Sequence, residues 1–132
     1  MRNRNLRSLT PNNMKEFAEQ YFLQRKGNCA QAVFAAWNFH SQKQDINVNE
    51  CAVYGHGKAP GGLCGALYAA LHIAGDRAES EIKKGFAEKS GEHFSCADIR
   101  AARSLRCIDC VTLAASLLEE HTSSFSVQSQ GE

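Results

Sequence analysis

The stretch Cys29-Ala-Gln-Ala-Val-Phe-Ala-Ala-Trp-Asn-Phe-His40 decides the fold class. Asn28 before it suits a helix N-cap, because its side-chain oxygen can accept a backbone N–H of the first turn. The segment is apolar nearly all round, so it reads as a buried helix. A second such segment begins Leu63-Cys64-Gly65-Ala66, runs to Ala74 and stops at Gly75. Its alanines and glycine permit close helix approach. Sustained alternation of β-branched residues, the mark of a strand, is missing throughout.

Outward from these two segments the chain also reads as helix. Thr10-Pro11 opens a helix with Met14, Phe17, Ala18 and Tyr21 on one face, ending at Gly27. Ser41 to Asn47 is a polar connection, and Val48 to Tyr54 a short helix. Gly55-His-Gly-Lys-Ala-Pro-Gly-Gly62 holds four glycines and a proline and cannot continue a helix. Asp76 to about Phe94 reads as a helix with core residues Ala78, Ile82 and Phe86. Gly85 inside it costs roughly 1 kcal/mol relative to alanine. Ser95 and Cys96 mark a further helix start. Arg106-Cys107-Ile-Asp-Cys110 opens the last helix, with Ile108, Val111, Ala115 and Leu118 on one face. The expectation is all-α: a single compact domain of about six or seven short helices with a Gly-rich loop, over residues 10–121. Residues 1–9 and the Ser/Gln-rich residues 122–132 lack periodicity and read as mobile tails.

Composition narrows the function classes. The chain has 132 residues, with 15 Lys and Arg against 14 Asp and Glu, a net charge of +1. That balance, and an Arg2, Arg4, Arg7 tail without interleaved aromatics, argue against nucleic-acid binding. A hydrophobic content of 43% is enough for a packed core. No apolar run approaches the ~18 residues of a membrane span. Met1 to Thr10 is basic and polar, with no apolar segment behind it, so no signal peptide is expected. The expectation is a cytoplasmic protein, without nucleic acid or membrane, in which thiols stay reduced.

Six cysteines in such a chain ask for metal or redox chemistry before disulfides. Cys29, Cys64, Cys96 and Cys107 each fall at an expected helix start. There the partial positive charge and unsatisfied N–H groups favour thiolate over thiol. Only Cys107 and Cys110 are close in sequence, as C-x-x-C. Val111 follows them, so this is no c-type haem attachment site. No ferredoxin run, no second C-x-x-C of a zinc ribbon and no βαβ context for a thioredoxin site are present. Any metal site must therefore be assembled from distant helices. G-x-S-x-G, P-loop and H-E-x-x-H motifs are absent, so no enzymatic reaction is nominated.

The order Gly27-Asn28-Cys29-Ala30-Gln31-Ala32-Val33, a glycine-rich stretch, Cys64-Gly65-Ala66-Leu67, Ser95-Cys96, and Cys107 with Val111 resembles the C_GCAxxG_C_C family of redox-active proteins. The resemblance covers about residues 14 to 120. It implies an all-helical fold with four cysteines gathered near one point. A related domain of split-Soret cytochromes associates such cysteines with an iron–sulfur site. By position the four are Cys29, Cys64, Cys96 and Cys107, with Cys110 as an additional thiol. The family's second motif continues CGAxxGA, whereas Ala69 stands here in place of that glycine. The glycine-rich loop also looks about a residue short.

Four readings follow. The first is a redox centre for electron transfer or sensing: an iron–sulfur cluster or other thiolate-bound metal, iron or zinc. Its metal ligands are Cys29, Cys64, Cys96, Cys107 and Cys110. His56, Gly57, Gly61 and Gly62 of the loop would line the cofactor, backbone N–H groups approaching the sulfurs. The second is a metal-free dithiol protein using Cys107 and Cys110. The third is a structural zinc site, and the fourth a helical interaction module whose cysteines only pack. A redox partner is implied by the first two, and the apolar helices allow a homodimer. Cys51 reads as a core cysteine and His56 more simply as an exposed loop residue. Tyr68 and His72 border the site or merely pack, and Lys58 offsets thiolate charge or is solvated. Phe34, Trp37 and Phe39 read as core.

Overall fold

The computed structural model describes residues 13–41, 46–55 and 58–131, with side chains as far as Thr122. Among the described residues there are six α-helices: α1 (Met14–Leu23), α2 (Cys29–Ser41), α3 (Gly65–Ala74), α4 (Glu79–Ser90), α5 (Cys96–Ala102) and α6 (Cys107–Gly131). Short 3₁₀ segments cover Val48–Tyr54, Pro60–Gly62 and Gly75–Arg77. The β content among these residues is one isolated antiparallel bridge, Leu63 to Ser95. The all-α expectation holds.

Helix α6 is the axis of the packing and touches α1, α2, α3 and α4, while α2 packs on α1 and α3. The expected core residues Ala78, Ile82, Phe86, Val111, Ala115 and Leu118 are all buried, as is Phe34. Ile108 is half-buried. Gly85 has a packing reason. A Cβ there would lie 2.5 Å from Leu117 Cδ2, so α4 and α6 approach more closely than alanine allows. Among the described residues, no helix is long and apolar enough to cross a membrane.

Several boundaries differ from the sequence reading. Thr10 and Pro11 lie outside the described residues; within them Asn13 caps α1, its Oδ1 accepting Glu16 N–H at 2.9 Å. The helix ends at Leu23, short of Gly27, because Arg25 turns the chain at φ +60°. The Val48–Tyr54 segment is 3₁₀. The Asp76 to Phe94 helix is shorter, starting at Glu79 and stopping at Ser90, where Gly91 takes the left-handed conformation. Phe39 is 45% exposed and stacks on Phe17 with ring centroids 4.6 Å apart, so it is surface rather than core. Helical backbone continues to Gly131, past the position where periodicity fades. Thr122, assigned to the tail, is buried and donates to Leu118 C=O. The expected N-terminal tail, residues 1–9, lies outside the described residues.

Candidate thiol site

Each of the four cysteines expected at a helix start is found there. Cys29 is the first residue of α2, Cys64 the N-cap of α3, Cys96 the first residue of α5 and Cys107 the first of α6. Cys110 lies one turn further into α6. All five line one cavity of about 170 Å³. Gly65, Ile99, Arg100, Leu105 and Arg106 complete its wall. Cys64 and Cys110 are buried, Cys29 and Cys96 half-buried, and Cys107 exposed. Among the described residues no disulfide joins any of them.

The placement of Cys29 begins with a reciprocal cap. Asn28 Oδ1 accepts Gln31 N–H at 3.0 Å, and Gln31 Oε1 accepts Asn28 N–H at 2.9 Å. The same two side chains donate to the 3₁₀ segment, Asn28 to Ala52 C=O and Gln31 to Val48 C=O. That brings Tyr54 against α3. A Cβ on Gly65 would stand 2.7 Å from Tyr54 O and 2.8 Å from Cys29 Sγ. Only glycine beside Cys64 therefore lets the Cys29 sulfur reach this wall. Cys64 N–H donates to Phe94 C=O at 2.8 Å, next to the Leu63–Ser95 bridge. These backbone contacts join the chain ahead of Cys64 to the chain ahead of Cys96.

Electrostatics separate the thiols. Cys64 and Cys110 are hydrogen-bonded through their side chains. That bond is the main reason the Cys64 thiol is pulled down to about 7; N–H groups of Leu67 and Ala66 assist, against its burial. Cys110 is held well above the usual thiol range by the same bond, then by burial and the neighbouring charges of Cys64, Cys107 and Cys29. Cys96 shows that a helix start does not ensure a thiolate. Burial pushes it up and outweighs the Arg100 guanidinium.

Not every expected residue joins the site. Gly61 and Gly62, at φ +71° and +74°, face open space and are not part of the cavity wall. They bend the chain into Leu63 instead. His56 and Gly57 lie outside the described residues. Cys51 is buried in the core, its thiol donating to Asn47 C=O at 3.4 Å. Tyr68 and His72 stack in a row with Tyr54, with centroids 4.7 and 5.7 Å apart, and lie off the cavity wall, as does the exposed Lys58. Arg100 and Arg106 were not signalled by any motif. Their positions, one turn after Cys96 and directly before Cys107, were the available hint.

The cavity walls are mainly sulfur and aliphatic carbon. Its volume is several times the ~30 Å³ share of a liquid water. Among the described residues, no three His, Cys, Asp or Glu side chains gather tightly enough to hold a metal ion. The five cysteines border one shared volume. Such a set can bind a group larger than one ion, or exchange sulfur–sulfur bonds. Compared with models of protein families, with curated proteins and with solved structures, the chain matches none.

Proposed function

We propose that this protein is redox-active and holds a cysteine-ligated centre, an iron–sulfur cluster in preference to a single ion, for electron transfer or redox sensing. The observation that carries this reading is that five of six cysteines line one cavity. Thiolates are soft donors suited to iron–sulfur clusters and zinc. A closed zinc site requires four ligands about 2 Å from one ion. A cavity of about 170 Å³ has room for a multi-atom group. The resemblance of the cysteine order to the C_GCAxxG_C_C family points the same way.

The protein's own residues have separable roles in this reading. Cys29, Cys64, Cys96 and Cys107 are the ligands, with Cys110 beside Cys64 as an extra donor. Gly65 leaves room for Cys29. Ile99 and Leu105 keep water from the sulfurs, and Arg100 offsets negative charge at the rim, while the Arg106 guanidinium is paired with the Asp109 carboxylate. A bound cluster would supply one-electron chemistry at a potential set by charge, hydrogen bonding and exposure.

The test is anaerobic purification or reconstitution, followed by iron and acid-labile sulfide analysis and visible absorption. Bound iron and sulfide with a visible band, lost in a Cys29→Ser, Cys96→Ser double variant, is expected. A colourless protein without iron or sulfide after reconstitution overturns the reading.

A further inference from the structure

An iron–sulfur cluster is held by four cysteines, and this cavity offers five. Three of them come from separate places in the fold. Cys29 opens α2, Cys64 is the N-cap of α3 and Cys96 opens α5. The other two, Cys107 and Cys110, share the first turn of α6. The surplus donor therefore lies on one helix, one turn from another donor.

The pair differs in depth. Cys107 is exposed and Cys110 is 4% exposed. Residues three apart are neighbours on a helix surface, and three residues advance the helix by about 4.5 Å. Cys107 stands at the mouth, where exposed Arg100 and Arg106 also line the cavity. Cys110 stands one step inside, and Val111 and Ala114 beyond it are completely buried. The turn that carries both is pinned. The Asp109 carboxylate accepts Arg106 N–H at 3.0 Å and Arg106 Nε–H at 3.1 Å. Cys110 N–H donates to Arg106 C=O at 3.0 Å. The backbone thus fixes one outer and one inner thiol on the same side of one cavity.

We infer that Cys107 and Cys110 are alternative donors to one corner of the centre, Cys107 the exchangeable one and Cys110 its inner replacement. This inference rests on the reading of the cavity as a cysteine-ligated centre. The exchange is balanced within the pair. The Cys107 sulfur leaves and takes up a proton, the Cys110 sulfur gives one up as it enters, and no electron moves. Net charge at the corner is unchanged. The released Cys107 thiol is at the mouth, open to small electrophiles, while Cys29, Cys64, Cys96 and Cys110 hold the centre. Modification of Cys107 then registers a chemical change outside without loss of the centre inside. None of the other three ligands has a second cysteine on its own helix, so the device is confined to this corner.

The test reconstitutes the full chain anaerobically as wild type, Cys107→Ala, Cys110→Ala, the double variant and Cys29→Ala. Iron, acid-labile sulfide and visible absorption are read, with circular dichroism to confirm that each chain is folded. Cys107→Ala and Cys110→Ala should each keep the iron and sulfide of the wild type, and Cys107→Ala should shift the visible band. The double variant and Cys29→Ala should lose both elements while staying helical. Iodoacetamide should label Cys107 in the loaded wild type and leave the visible band in place, and the same labelling of loaded Cys110→Ala should bleach it. An empty Cys107→Ala, a loaded double variant, a loaded Cys29→Ala, or bleaching of the wild type as Cys107 is labelled overturns the inference. Cys107 is exposed, so its variant and the labelling of the wild type decide the matter if Cys110→Ala misfolds. A wild-type chain that takes up no iron or sulfide sinks the metal reading and this inference with it. A loaded wild type with an empty Cys107→Ala variant sinks this inference alone.

Discussion

The two walls of the cysteine cavity are built differently. Cys29, Cys64 and Cys110 sit on α2, α3 and α6, which pack against one another. Around them Ala30, Ala66, Leu67, Val111 and Ala114 are completely buried. Cys96 and Cys107 sit on the other wall, at α5 and the exposed start of α6. Helix α5 has seven residues and one buried side chain, Ile99. It is held by the Ser95 cap, the Leu63–Ser95 bridge and a left-handed turn at Arg103. Few buried apolar contacts mean a low cost of local opening. One wall therefore sets where sulfur stands, and the other sets whether the cavity is closed.

The comparison is tested hardest by Leu67→Ala, in the firm wall. Emptying a site with no exposed surface should cost about 2–5 kcal/mol. Denaturant melts should show that loss, with reactivity of Cys64 and Cys110 rising together. A loss below about 1 kcal/mol would mean that this wall is not packed as described.

Gly65→Ala should follow. Its Cβ would meet a backbone oxygen at 2.7 Å and the Cys29 sulfur at 2.8 Å. Overpacking of this kind costs about 1–3 kcal/mol. Thermal unfolding and the alkylation rate of Cys29 should both change. A stability change without exposure of Cys29 would detach that sulfur from the wall.

Ser95→Ala tests the light wall. It removes the oxygen that accepts Asp98 N–H at 3.1 Å, a cap worth about 0.5–2 kcal/mol. Hydrogen exchange should quicken across α5, and Cys96 should react faster, while α3 and the core of α6 keep their protection. Uniform loss across the molecule would erase the distinction between the walls.

The smallest effect is a shift in pH profile. A thiolate is the alkylated form, so in metal-free protein the Cys64 rate should rise with pH and level off above about 7. The ordinary value is 9.0. In Cys110→Ala the midpoint should move up, because the bond from Cys110 is the main cause of the lowering. An unchanged midpoint would assign the effect to the backbone N–H groups of α3.

Much of this was legible because its causes are local. Asn28 and Gln31 sit three apart and make their cap within one turn, so Cys29 was readable as a helix start. The all-apolar segment after Cys29 and the Gly75 stop were equally local. Gly27 misled as a helix end because the chain already turns at Arg25, which takes a positive φ that its residue type does not signal. Gly85 looked like a weakness because its partner Leu117 is remote in sequence. The Gly-rich stretch offered Gly61 and Gly62 as site residues, whereas Gly65 is the glycine against sulfur. Close approach is a property of two segments, and only one was visible at a time.

By itself the sequence determined the helical class, the buried segments and the cysteines at helix starts, since periodicity and caps act within a few residues. Only the tertiary structure decided which sulfurs meet. Cys110 is three residues from Cys107 and forty-six from Cys64, yet all three line one cavity. Packing of α3 on α6 brings the distant cysteine to the same cavity as the near one.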